Sequence, residues 1–560
     1  MDSLNIKSSF ALVLCLILVS CSKDAEPIDD TPKLVLQITV DGLRADLISR
    51  YRKSFADSGG FNYLLNKGAV YTNAHYLHAN TETIVGHTTL ATGTHPSVHG
   101  MVGNVWYDSE TGELGYNIED SQAPILPTRE IVTEGAQVDP AQLTSRTKGR
   151  SPREILASTI SDEIHKNFNS ESKIFGVSGK DRSAVSMAGH NGKAFWYSTD
   201  NGDFVTSKYY YSDYPNWVKS WNQERKAELF SDTKWELLND ISTYKFALQD
   251  DRSYEVDLKG YGKVFPHEFG HKTHPLFPTR ILVSPKGDEL ILDFAKNLIV
   301  NEKIGKDDVT DYLSISFSSV DAVNHFFGPS SLENEDVVLQ LDVTLKNLFN
   351  FIESEIGLEN TLIVFSADHG MAEMPEYMNE QGYNVGRIYS DEIIERVNKI
   401  GVDKFGVDSV AKSFYRPSLY LNHVQIIKAE LNLLEVEELV AKELTKTEGI
   451  YLAVGSNENS NQNNELVYKQ IQNNYHPSRS GDIYVAQEPY WFLFEKGPIG
   501  VMHGSPWDYD THVPIIFVGS KIPASVNTDL VHPIDVAPSI AAYLNIKAPK
   551  ESVGNNIFKD

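Results

Sequence analysis

The chain has 560 residues, enough for one large core with insertions. Its formal net charge of −26 excludes holding a nucleic-acid backbone as a main task, but leaves an anionic substrate open where a bound metal dominates the local field. Both cysteines, Cys15 and Cys21, fall in the first 21 residues, so the rest of the chain has no disulfide and no thiolate chemistry.

The N-terminus reads as an export signal. Lys7 supplies positive charge, and Phe10 to Val19 is an apolar run too short to span a bilayer. Leu18-Val19-Ser20-Cys21 has the form of a bacterial lipobox. This makes residues 1–21 a lipoprotein signal peptide, Cys21 a lipid-anchored first residue, and the polar residues 22–32 a tether. The plainer alternative is an ordinary signal peptide with an incidental cysteine. The expected location is the periplasm or the outer membrane. No later run is long enough for a membrane helix.

The main domain, 33–560, opens with a buried strand, Leu34 to Val40, that ends in Asp41. A helix over Leu43–Tyr51 and a strand over Ala69–His75 follow. Thr81-Glu82-Thr83-Ile84-Val85-Gly86-His87 is a polar turn leading to a helix over His87–Thr92. Ser151 as cap and Pro152 in the first turn predict an amphipathic helix over Ser151–Phe168, with a strand over Lys173–Val177 after it. Residues 195–290, rich in Tyr and Trp, read as an inserted cap. Leu313 to Val320 is a buried strand ending in Asp321, with His325 four residues on and a helix over Ser330–Glu355 behind it. Leu362 to Ala367 is another, ending in Asp368-His369. Residues 381–450 read as a small α+β insertion, Val513–Val518 returns to the sheet, and Asp535–Leu544 closes the domain with a helix. Strands alternating with helices predict an α/β sandwich with a mostly parallel central sheet.

Three buried strands that each end in a carboxylate aim charge at one sheet edge, where open α/β folds bind ligands. Carboxylates crowd together only with positive charge between them. Mixed Asp and His ligation suits zinc, and two such ions form a clamp for phosphoryl transfer. Thr83, before a helix, is the candidate nucleophile, with Thr81 in competition. His503 leads into the strand at Val513 and is a candidate ligand; His512 is its rival. Lys180 and Arg182 alternate around Asp181 after a strand, which can place both cations on one side for a phosphate dianion. His267-Glu268-Phe269-Gly270-His271 has the zincin spacing, but that motif needs a helix, and Pro266, Gly270 and Pro275 argue against one. His95 and His99 lie in a Pro/Gly turn and read as structural.

The ordered set Asp41, Thr83, Asp321/His325, Asp368/His369 and His503 resembles the alkaline phosphatase superfamily, in its nucleotide pyrophosphatase/phosphodiesterase-like branch. Within that branch, Asn104 in Gly103-Asn104-Val105 and the pair in Gly179-Lys180-Asp181-Arg182 resemble the PafA-type alkaline phosphatases. The resemblance covers residues 33 to the C-terminus. It implies two zinc ions, one held by Asp41, Asp368, His369 and Thr83, the other by Asp321, His325 and His503. It also implies phosphate contacts from Asn104, Lys180 and Arg182, a phosphothreonine intermediate, and phosphate monoesters as substrates. Relatives often carry Pro where this chain has Ile84-Val85 before Gly86, so a changed local backbone is expected there. A phosphodiesterase or nucleotide pyrophosphatase is the nearest alternative. A surface lipoprotein that binds a ligand without turnover is a more distant one.

Overall fold

Leu34–Val40 is buried along its whole length, as a strand covered on both faces must be. In the computed structural model, which describes residues 31–108, 111–129, 138–456 and 466–558, it lies at the middle of a nine-stranded sheet. The signal peptide, Cys21 and most of the tether lie outside the described residues. The strands are β1 (Leu34–Val40), β2 (Ala69–His75), β3 (Ile174–Ser178), β4 (Lys193–Tyr197), β5 (Phe204–Val205), β6 (Asp311–Phe317), β7 (Thr361–Ser366), β8 (His512–Val518) and β9 (Ser525–Asn527). Their spatial order is β9-β2-β8-β7-β1-β6-β3-β4-β5. β8 runs antiparallel to both its neighbours and β5 antiparallel to β4; every other pairing is parallel. The expected mostly parallel α/β sheet is therefore present.

Helices cover both faces: α1 (Thr83–Thr92), α2 (Ile160–Asn167), α3 (Asp181–Ala188), α4 (Pro285–Glu302), α5 (Ser319–Phe327), α6 (Leu332–Glu355) and α7 (Val536–Tyr543). The period-two pleat divides β1 between two cores. Leu34, Leu36, Ile38 and Val40 pack with residues of α4 and α6 such as Leu298 and Leu341. Val35 packs on the other side with Ile164 of α2 and Ile540 of α7. Trp221, Trp235, Tyr244 and Tyr261, from the Tyr- and Trp-rich span, join the first of these cores.

The helix expected over Ser151–Phe168 is shorter. It is α2, which starts at Ile160 behind a capping box between Thr159 and Asp162. Ser151 instead donates its hydroxyl to Asp120, 2.7 Å away. A separate antiparallel sheet joins Ala411–Tyr415, Ser418–Leu421, Ile483–Gln487 and Ile450–Gly455. Its own core includes Ile393, Val397, Val436 and Val440 from the helices over Ser390–Phe405 and Leu433–Leu444. Among the described residues no helix is long and apolar enough to cross a membrane.

Candidate active site

The parallel neighbours β7, β1 and β6 end at one edge, so the residues that follow them meet there. Asp41 directly follows β1, and Asp368 and His369 follow β7 by two and three residues. Asp321 sits in the first turn of α5 after β6, with His325 one turn on. β3 ends at the same edge, bringing Lys180 and the start of α3 with Arg182. Because β8 is antiparallel, its start lies at this edge too, and His503 precedes it. Thr83 is the first residue of α1, a ten-residue helix, and so sits at that helix's positive end.

His369 Nε2 is the focus of one group. It lies 3.3 Å from Asp41 Oδ1, 3.4 Å from Asp368 Oδ2 and 3.4 Å from Thr83 Oγ1. Asp321 Oδ1 is the focus of the other, with His325 Nε2 at 3.4 Å and His503 Nε2 at 3.7 Å. The His369 and His503 rings stack between the two groups, centroids 3.5 Å apart. Among the described residues, Asp41/Asp368/His369 and Asp321/His369/His503 are the buried groups tight enough to hold a metal ion. His325 is half-buried and faces the adjoining cavity.

The donor set fits metal ions in three respects. A tetrahedral zinc with bonds of 2.0–2.1 Å separates its ligand atoms by about 3.3 Å, close to the spacings here. All three histidines point the same nitrogen inward. Nδ1 of His325, His369 and His503 donates to the carbonyls of Val501, Gly370 and Thr81 at 3.0, 2.8 and 2.8 Å. A carbonyl only accepts, so Nδ1 carries a hydrogen, and each ring in its neutral form offers its lone pair at Nε2. Third, both oxygens of Asp41, Oδ1 of Asp321 and Oδ2 of Asp368 are buried without a well-aligned hydrogen bond.

Lys180 is the cation placed among these carboxylates. Its Nζ lies 2.8 Å from Asp41 Oδ2 and also pairs with Asp321 Oδ2. Three buried carboxylates thus face one ammonium, which leaves negative charge to be met. Burial opposes charge on His369, yet Asp368 and Asp41 hold its imidazole up at about 9. Burial likewise opposes charge on Asp321, but His325 and Lys180 keep it well below the usual carboxylate range. Outside the groups, His87 Nδ1 lies 2.9 Å from the Thr83 carbonyl and 3.1 Å from Asp368 Oδ2, joining helix and strand end. Gly86 lets α1 approach this closely: a Cβ there would stand 1.9 Å from the Asp368 carbonyl oxygen.

A cavity of about 900 Å³ opens onto the groups, lined by Asn104, Lys180, Arg182, Asp321, His325 and His503, among others. Arg182 is held by Asp139 at 2.6 Å, and Asn104 Oδ1 accepts from the Ile84 amide at 3.2 Å. The rival residues lie elsewhere. Thr81 donates its hydroxyl to the Ser505 carbonyl at 3.0 Å. His512 stacks on His75 and reaches the Thr72 carbonyl. His267-Glu268 is a short strand paired with Lys234–Trp235, so the zincin spacing has no helix to carry it. Residues within 125–129 and 138–150, to which the sequence gives no role, line much of the cavity. The sequence gives no role to Glu82, which lies in the polar turn before α1, or to the buried Arg416, which carries no local signal.

The model of the type I phosphodiesterase/nucleotide pyrophosphatase family matches residues 35–506. A curated protein of Myroides odoratus named calcium-transporting ATPase is 33% identical over 99% of each chain. Alkaline phosphatase PafA of Elizabethkingia meningoseptica is 32% identical over 94% of each. The crystal structure of wild-type PafA superposes with a TM-score of 0.87 at 30% identity, covering 95% of this chain and 99% of that one. Extent of match, identity and shared architecture agree, and the chain belongs to the type I phosphodiesterase/nucleotide pyrophosphatase family of the alkaline phosphatase superfamily, in its PafA-type branch.

Proposed function

We propose that the chain is an exported alkaline phosphatase. It hydrolyses phosphate monoesters with two zinc ions, through a phosphothreonine on Thr83, and is held at a membrane by lipid on Cys21. The observation that carries this reading is the meeting of Thr83 with two Asp/His groups at one sheet edge, beside a cavity that contains Lys180 and Arg182.

Asp41, Asp368 and His369 would hold one ion and Asp321, His325 and His503 the other. When bound, zinc supplies Lewis-acid charge for the attacking and leaving oxygens. The chain's own residues do the rest. The Thr83 oxygen, at the positive end of α1, attacks phosphorus in line; the new O–P bond forms as the bond to the leaving oxygen breaks, and the hydroxyl proton ends on the departing alcohol. Water then attacks the phosphothreonine in a second in-line step, which releases phosphate and restores the hydroxyl. Lys180, Arg182 and Asn104 hold the nonbridging oxygens, so catalysis is chiefly positioning and electrostatic stabilisation.

The family's name favours a second reading, a diesterase or pyrophosphatase. The Lys180/Arg182 pair supports monoesters, whose dianion carries one more negative charge. The ATPase and phosphatase names of two relatives both denote net hydrolysis of a phosphoryl group, on different leaving groups. Anomalous scattering at the zinc edge, with turnover of an aryl phosphate before and after chelation, tests the proposal. Two zinc peaks and metal-dependent turnover are expected. One ion or none with full activity would sink the two-metal reading, and metal binding without any turnover would favour a ligand-binding lipoprotein.

A further inference from the structure

Arg416 lies in the tight turn between Ala411–Tyr415 and Ser418–Leu421 of the small antiparallel sheet, and it is buried. Its guanidinium leaves that sheet and enters the main domain. Nη1 donates to the Gly504 carbonyl and Nη2 to the His503 carbonyl, and Nη2 lies 3.5 Å from Glu82 Oε1. Glu82 is buried as well. Its Oε2 accepts from the Asn104 amide at 2.6 Å and from Asn80 Nδ2 at 3.2 Å. Asn104 in turn accepts from the Ile84 amide, and the His503 ring donates to the Thr81 carbonyl. One guanidinium thus closes a ring that runs through His503, Thr81 and Glu82 and branches to Asn104. Gly504 leaves room for it: a Cβ at that position would stand 2.3 Å from Arg416 Nη2.

We propose that Arg416 is a positioning residue: it fixes the His503 loop against the Thr81–Thr83 turn and, through Glu82, against Asn104. This deepens the phosphatase reading, because it takes its meaning from the roles given to Thr83, Asn104 and His503. A planar fork of donors in fixed geometry suits three acceptors on two loops, whereas a lysine ammonium does not match it. A residue that orients a ligand from behind acts on metal affinity as well as on rate. A guanidinium that merely fastened the small sheet to the main domain would act on neither once the protein was folded.

The test uses the full chain with Arg416→Lys, Arg416→Met and the double variant Glu82→Gln/Arg416→Met. After chelation each protein is titrated with Zn2+ alone against a chromophoric competitor. Thermal unfolding and kcat and KM for an aryl phosphate at saturating zinc are then measured. Arg416→Lys should weaken one of the two zinc-binding events about 10- to 100-fold and lower kcat, while Tm stays within a few degrees of the parent. Parent-like zinc affinity and kcat in Arg416→Lys would overturn the inference. Arg416→Met leaves Glu82 buried without its cation, and misfolding there is addressed by the double variant, which removes both charges. Weak binding of one zinc ion in a folded double variant supports the inference, and parent-like binding overturns it. The zinc titration decides this without turnover; whether the parent hydrolyses a monoester decides the phosphatase reading separately.

Discussion

Lys180 Nζ lies 2.8 Å from Asp41 Oδ2, so a cation of the cavity wall rests directly against a carboxylate of the metal groups. Arg182, two residues on, stands at the same cavity with Asp139 against its guanidinium. The two charges should serve a dianion more than a monoanion. Charge-assisted hydrogen bonds contribute about 1.5–3 kcal/mol each. Lys180→Ala/Arg182→Ala should therefore lower kcat/KM for an aryl phosphate by about two to four orders of magnitude. The corresponding methyl diester should lose far less. Equal losses on both substrates would move the reading to the diesterase.

Thr83→Ala should lower monoester turnover at least about a thousandfold, because among the hydrogen-bonded pairs of the described residues its hydroxyl, on the helix end, is the one that stands 3.4 Å from His369 Nε2. Acid quench with 32P-labelled substrate should trap phosphate on Thr83 in the parent. Label on Thr81 would refute the assignment, and the engagement of that hydroxyl with Ser505 makes this outcome unexpected.

The proposed lipid anchor on Cys21 is testable apart from the chemistry. Cys21→Ser should release the protein from membranes into the soluble fraction with kcat unchanged, since Cys21 precedes the first core strand by a polar tether. A variant that stays in the membrane fraction after signal cleavage would overturn the lipobox reading.

His190 and Asp162 offer a pH test remote from the metal groups. Their side chains meet at 2.9 Å, and the hydrogen bond to Asp162 raises the imidazole above its ordinary value. Burial pushes Asp162 up, but His190 and the Thr159 cap bring it below the carboxylate norm. A raised His contributes stability below its unfolded pKa, about 6.5, and loses it as pH rises through the folded value. A lowered Asp contributes above about 3.9 and loses it as pH falls through its own folded value. The window in which both act is about pH 4 to 6.5. His190→Gln should cost about 1 kcal/mol at pH 5 and much less at pH 9, as measured by urea unfolding. An equal cost at both pH values would show that the pair does not titrate with folding.

The sheet and its carboxylate edge were legible because strands buried on both faces read as continuous apolar runs, and Asp41, Asp321 and Asp368 each end or follow one. The start of α1 was less so. The sequence points to His87, but the helix begins at Thr83, and its ten residues are all buried. Packing there overrides the weak helix propensity of Thr, Ile, Val and Gly. At Ser151 a plausible cap lost to Thr159, whose capping box is reciprocal with Asp162. The choice between His503 and His512 rests on which loop turns back over the edge, which spacing cannot state. Glu82 and Arg416 meet from positions 334 residues apart and leave no periodic trace.

The close approach at Gly86 sets two demands against each other. Alanine is the better residue for a helix taken alone, by about 1 kcal/mol. Placed here, its methyl would act as a shim between α1 and the strand end that carries Asp368, pushing apart the elements that hold Thr83 and Asp368. The approach of Thr83 to the Asp368 strand end is thus calibrated by a missing carbon, and a gain in local helix stability at this position would be registered as a wider gap between the two.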